Sequence, residues 1–160
     1  MLEVDVTVRC PFWTDNLKAA DALCQTAARA SYPASDPAEV SIVLADDAFV
    51  RNLNREYRGQ DKATNVLSFA ADSANESPVS SGALGAPRLL GDVIVAFETV
   101  SAEAAAQGKT LADHLCHLVV HGMLHLLGYD HEQDPAAEKM EALEVKILAT
   151  LEIADPYEGS

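Results

Sequence analysis

The chain has 160 residues but only 11 basic ones against 25 acidic, giving a formal net charge of −14. A general nucleic-acid coat protein is excluded, because phosphate binding draws its affinity from lysine and arginine. Cysteine is scarce as well: Cys10, Cys24 and Cys116 are odd in number and form no CxxC pair. A secreted disulfide framework is therefore not expected, and a reducing compartment is. No stretch approaches the ~18 apolar residues of a membrane span, and MLEVDVTVRC lacks the basic-then-apolar pattern of a signal peptide. The expectation is a soluble cytoplasmic protein with no membrane partner. With 49% hydrophobic residues, residues 1–160 are expected to form a single domain with a core that needs no staples.

Four of the eleven basic residues cluster. Arg51, Arg55, Arg58 and Lys62 fall within twelve positions, the arginines at i, i+4, i+7 on one helix face. That stripe is either a local anion patch or a solvated face with ordinary salt bridges. All five histidines lie between His114 and His131.

Apolar patterning predicts four strands, at Leu2–Val8, Val40–Ala45, Asn65–Ala70 and Asp92–Phe97. Between and after them come about five helices. The first, capped by Thr14 or Asp15, runs to about Ala30; the second, capped by Asp46, turns Val50, Leu53 and Tyr57 inward. An alanine-rich helix over Val100–Gln107 stops at Gly108, and a capping box at Thr110 and Asp113 opens a central buried helix over Leu111–Leu127. Asp134 and Pro135 start the last helix, with Met140, Leu143, Ile147 and Leu151 as its apolar stripe. Residues 71–90, rich in Ser, Ala, Gly and Pro, read as a mobile loop. The fold class is α/β (α+β), a small mixed four-stranded sheet packed with these helices.

The segment HGMLHLLGYDH, residues 121–131, carries the chemistry. On a helix, i and i+4 sit about 40° apart on one face, roughly 6 Å along the axis, so His121 and His125 can converge on one cation. A left-handed Gly128 ends the helix and returns His131 to the same point. Three imidazoles leave a tetrahedral Zn²⁺ one open position, where a water's pKa falls from about 15.7 toward about 7. Cys116, about 140° around the helix from His121, is discounted as a fourth ligand. His114 and His117 form a competing pair without a third partner, and are assigned to core or supporting roles.

The spacing H-x3-H-x2-G-x2-H is that of the metzincin peptidases, which place a glutamate base after the first histidine. Here that position is Gly122, so proteolysis loses its proton acceptor. The glycine implies space reserved for a substrate, a neighbouring backbone, or plain close packing.

With LVVHGMLHLLGYDH and the upstream LNREYRGQDKATNVLSF in view, the chain resembles the YbeY family of bacterial endoribonucleases, also called rRNA maturation factors. The likeness extends through LLGDVIVAFETV and EKMEALEVKIL, from about Val40 to Leu148. It implies one zinc ion held by His121, His125 and His131, with Arg58 as a catalytic residue. It implies action on single-stranded RNA, in 16S rRNA 3′-end maturation and ribosome quality control. Partners so implied are 16S rRNA, with small-subunit ribosomal proteins or an assembly GTPase. Residues 72–88 depart most from the family pattern. Two readings compete: a non-catalytic ribosome assembly factor clamped by a structural metal, and a metallopeptidase-like hydrolase.

Overall fold

A four-stranded sheet of order β1-β2-β4-β3 organises the molecule, with β1, β2 and β4 parallel and β3 antiparallel at one edge. The computed structural model describes residues 2–32, 36–71, 88–129 and 134–157, with the side chains of 134–136 left aside. In chain order the elements are β1 (Leu2–Val8), α1 (Pro11–Asn16), α2 (Ala20–Ser31), β2 (Ala38–Ala45), α3 (Asp47–Arg58), β3 (Val66–Ala70), β4 (Arg88–Ala96), α4 (Phe97–Gln107), α5 (Leu111–Leu126) and α6 (Asp134–Thr150). The expected α/β class with a mixed four-stranded sheet is what the chain adopts. None of the described helices is long and apolar enough to cross a membrane.

The first expected helix is two. Pro11 supplies the fixed φ favoured at a first helical position, and α1 lasts six residues before Leu17 leaves it in an extended conformation. Thr14 and Asp15 are not caps: both lie inside α1, where the Thr14 hydroxyl donates back to the Pro11 carbonyl. Trp13 anchors this turn, fully buried, with its indole N–H donating to Ala45 O at 2.9 Å. Strand β4 begins four residues before the expected Asp92, so Arg88–Leu90 belong to the sheet and not to a loop. Residues 72–87 lie outside the described part. The signal in β4 is hidden by a bulge: Glu39 pairs with Leu89 and Val40 with Gly91, leaving Leu90 as the extra residue. Gly91 takes φ 136°, and a Cβ there would sit 2.2 Å from Phe69 O, so only glycine fits. At the other end of β4, Phe97 is the first residue of α4.

Helix α3 is capped as expected, the Asp46 carboxylate accepting from Phe49 N–H at 2.8 Å. Val50 is buried and Leu53 half-buried, but Tyr57 is not inward: it is 69% exposed. The last turn of α3 runs past edge strand β3, and the phenol leans edge-on against Phe69. One sheet face packs on α2 and α5, which in turn carry α6, around Leu44, Val93, Leu115, Met123 and Leu148, and the smaller cluster of Val50, Leu67 and Ile94 lies under α3. Helix α5 is buried nearly all round, as its composition predicts, and Thr110 Oγ1 accepts from Asp113 N–H at its start. Asp134 is assigned as the first residue of α6 and not as the cap before it.

Candidate metal centre and its cleft

The end of α5 follows the sequence expectation. Gly128 has φ 101°, and Tyr129 N–H donates to Leu124 O at 3.0 Å across the helix terminus, so the chain turns back there. His131, the candidate third ligand, lies outside the described residues, as does Asp130. Among the described residues no third ligating side chain joins His121 and His125.

Those two histidines do converge. His121 Nε2 and His125 Nε2 face each other at 3.1 Å. Two nitrogens each about 2.05 Å from a tetrahedral ion would lie about 3.3 Å apart, so the pair already has close to the spacing that one Zn²⁺ demands. The tautomer also fits. His121 Nδ1 donates to Glu144 Oε1 at 2.7 Å, which leaves the ring's lone pair on Nε2, the nitrogen that faces His125.

Glu144 is the residue that sequence reasoning missed. It is 0% exposed, on the apolar face of α6 beside Met140, Ile147 and Leu148. Its other oxygen, Oε2, accepts from His117 Nε2 at 2.8 Å and from the Tyr157 hydroxyl at 2.6 Å. Burial pushes this carboxyl up, but the hydrogen bonds from His117, His121 and Tyr157 outweigh it and hold it down to about 2. A buried carboxylate is thus the hub that fixes two rings of α5. Burial, then the bond to Glu144, pushes the Tyr157 phenol far above its usual range, so it stays a donor.

His117 has the supporting role expected of it. His114, buried, pairs with Glu103 Oε1 at 2.9 Å; burial lowers its basicity while Glu103 opposes that. Cys116 is buried in the main core, and burial, helped by Asp113, pushes its thiol up to about 11.

Arg58, at the C-terminal end of α3, reaches the same place. It lines a cleft of ≈ 400 Å³ with Thr64, Asn65, Ser68, His121 and His125. One guanidinium N–H donates to Ser68 O at 3.0 Å, on edge strand β3. That bond uses one of five donors. The rest of the arginine stripe has a different destination: Arg51 pairs with Asp61 at 2.7 Å on the surface, and Arg55 donates to Asn52. Of the three, Arg58 is the one that lines this cleft.

Gly122 serves close packing. An added Cβ would meet Val93 Cγ1 at 2.7 Å and Ser68 Oγ at 3.0 Å, where α5 crosses the sheet. A glutamate, the peptidase base, cannot be seated there without lifting the helix. Gly122→Ala should cost about 1–3 kcal/mol in overpacking, offset by about 1 kcal/mol of helix propensity. The expected outcome is a melting temperature lowered by roughly 2–4 °C, measured by calorimetry.

Comparison with known proteins agrees with this architecture. The family model described as Endoribonuclease YbeY matches residues 13–152. The chain belongs to the YbeY endoribonuclease family. Among its relatives in that family, a Paramagnetospirillum magneticum protein named Endoribonuclease YbeY is 56% identical over 160 residues, covering 98% of this chain and 96% of the relative. An Azorhizobium caulinodans protein of the same name is 52% identical, with the same coverage of each. The solution structure of TM1509 from Thermotoga maritima shares the fold, with a TM-score of 0.54 at 22% identity over 94% of this chain and 92% of that one. The YbeY resemblance read from the histidine segment and LNREYRGQDKATNVLSF is therefore correct.

Proposed function

We propose that this YbeY-family chain is a metal-dependent endoribonuclease that cleaves single-stranded RNA, acting in 16S rRNA 3′-end maturation and ribosome quality control. The observation that carries it is the 3.1 Å approach of His121 Nε2 and His125 Nε2 in a cleft that Arg58 also lines. The relatives' name supplies the substrate class. His131 is proposed as the third ligand and Zn²⁺ as the ion. Small-subunit ribosomal proteins or an assembly GTPase are the proposed partners that bring an acidic protein to rRNA, by electrostatic complementarity in place of its own phosphate affinity.

When bound, the ion supplies Lewis-acid stabilisation of a phosphate oxygen and makes water more acidic. The chain's own residues do the rest. Glu144 locks the His121 ring, so no reorganisation is required when charge develops nearby. Arg58 donates to a non-bridging phosphate oxygen with the guanidinium N–H groups left over from its bond to Ser68 O, which holds the fork in place. The sheet edge at β3 and the face of α5 bound the cleft and orient the strand between them.

The test uses purified wild type on a single-stranded RNA and on the same sequence as a duplex, before and after chelation and Zn²⁺ re-addition. Cleavage of the single strand that is lost on chelation and restored by zinc is expected. Cleavage indifferent to chelation would contradict the metal role, and a folded, zinc-loaded protein that cleaves nothing would favour the assembly-factor reading. Arg58→Ala should lower kcat/KM by about 10²-fold with metal content unchanged, and Arg58→Lys should restore only part of it because the planar fork is lost. Unchanged kinetics in Arg58→Ala would remove it from the scheme.

A further inference from the structure

Tyr57 is the largest departure from the amphipathic pattern of α3. An aromatic side chain on the helix period of Val50 and Leu53 belongs in the core, yet it stands 69% exposed. Its ring meets Phe69 at 5.6 Å between centroids, inclined by 63°. Phe69 is half-buried, its inner side packed on the small cluster that contains Val50, Leu67 and Ile94. Arg58 lies over the same Phe69 ring, its Cζ 5.5 Å from the centroid, while it donates to Ser68 O. Phe69 thus carries a phenol and a guanidinium side by side on the α3 face of edge strand β3, the face opposite to that from which Ser68 Oγ reaches Gly122, and Arg58 spans the strand edge into the cleft.

Resting on the endoribonuclease reading, we infer that Tyr57 and Phe69 form a stacking platform for one unpaired nucleobase of the RNA, flanking the phosphate held by Arg58. Bases in a single strand have an exposed π-face, and proteins that hold single strands present aromatic rings and arginine planes to it. A duplex, with its bases stacked inside, cannot use such a surface. The platform therefore supplies the single-strand preference that a metal and an arginine alone do not: both of those contact phosphate, which every RNA offers. Phe69 also lines a groove with the carboxylates of Glu3, Asp5, Glu39 and Asp92, which repels phosphate, so the RNA strand is placed on the Arg58 side of the rings. The exposed ring sits next to a cation, which suits a base attached to a phosphate and not a purely apolar segment.

The test measures anisotropy of a labelled, short 2′-O-methyl oligoadenylate and of the same backbone with abasic positions, on zinc-loaded full-length protein, with probe integrity checked on a gel. Wild type should bind the base-bearing strand about ten-fold more tightly than the abasic one. Tyr57→Ala should lose that preference while binding the abasic strand as wild type does; Tyr57→Phe should keep it. Tyr57→Trp adds a direct signal, quenched by the base-bearing strand, because Trp13 is fully buried. If Tyr57→Ala retains the preference while wild type cleaves RNA, the platform is wrong and the endoribonuclease reading stands. Binding of neither strand, with no cleavage, overturns both.

Discussion

His125→Ala is expected to lower RNA cleavage by at least about 10³-fold and to reduce bound zinc to trace, with the far-ultraviolet circular dichroism of wild type retained. His125 is the cleaner of the two described candidate ligands to remove. It faces His121 Nε2, whereas His121 also donates to buried Glu144, so His121→Ala removes a structural hydrogen bond together with a candidate ligand. The two variants should therefore agree in metal content and activity and differ in stability, His121→Ala melting lower by calorimetry. Full activity in a metal-free His125→Ala would refute the site. Loss of folding in His125→Ala would mean that the ion clamps the fold, which is the signature of the non-catalytic rival.

Glu144→Ala should have the second largest effect, and on two observables at once. Its carboxylate is fully buried and accepts from three side chains on two parts of the chain: His117 and His121 of α5, and Tyr157 near the C-terminus. Removing one partner of a buried charged network costs about 3–5 kcal/mol, which leaves the protein folded but with a melting temperature lower by roughly 10 °C. The zinc affinity should fall by about 10- to 100-fold, because the His121 ring loses the group that sets its tautomer and direction. Glu144→Gln separates the two effects. It keeps the volume, and its carbonyl can still accept from His121, but its amide nitrogen, a donor, can accept from neither His117 nor Tyr157. Zinc affinity closer to wild type with stability clearly below it is the expected pattern, read by competition with a zinc chelator and by thermal melting. Unchanged zinc affinity in both variants would reduce Glu144 to a core residue with no part in holding the ion.

Much of this arrangement can be read from local chemistry. The cap at Asp46, the capping box at Thr110, the stops at Gly108 and Gly128, and the identity of all four strands each depend on residues within one turn or one strand. So does the His121 and His125 pairing, because i, i+4 geometry is a property of the helix alone. The misreadings share a different cause, which is that distant neighbours decide the outcome. The break at Leu17 follows from Trp13 reaching Ala45, thirty-two residues away. The early start of β4 is masked by a bulge whose glycine answers to the backbone of Phe69. Tyr57 faces outward because the sheet ends at β3 beneath it.

Glu144 was legible in part. A lone carboxylate set among Met140, Leu143, Ile147 and Leu148 interrupts an apolar stripe, and a charge on a buried face must find partners. The sequence does not reveal that those partners sit on α5 and near the C-terminus, since no spacing rule connects positions 117, 121, 144 and 157. The Gly122 question, left open between substrate space and packing, is decided by Val93 and Ser68, contacts that lie across the core.

The zinc K-edge X-ray absorption spectrum of the full chain loaded with one equivalent of metal decides whether three imidazoles hold the ion. Three imidazole nitrogens at about 2.0–2.1 Å and one further light atom from solvent are expected, with the imidazole scattering reduced in His131→Ala. A sulfur at about 2.3 Å, or an unchanged first shell in His131→Ala, would contradict it.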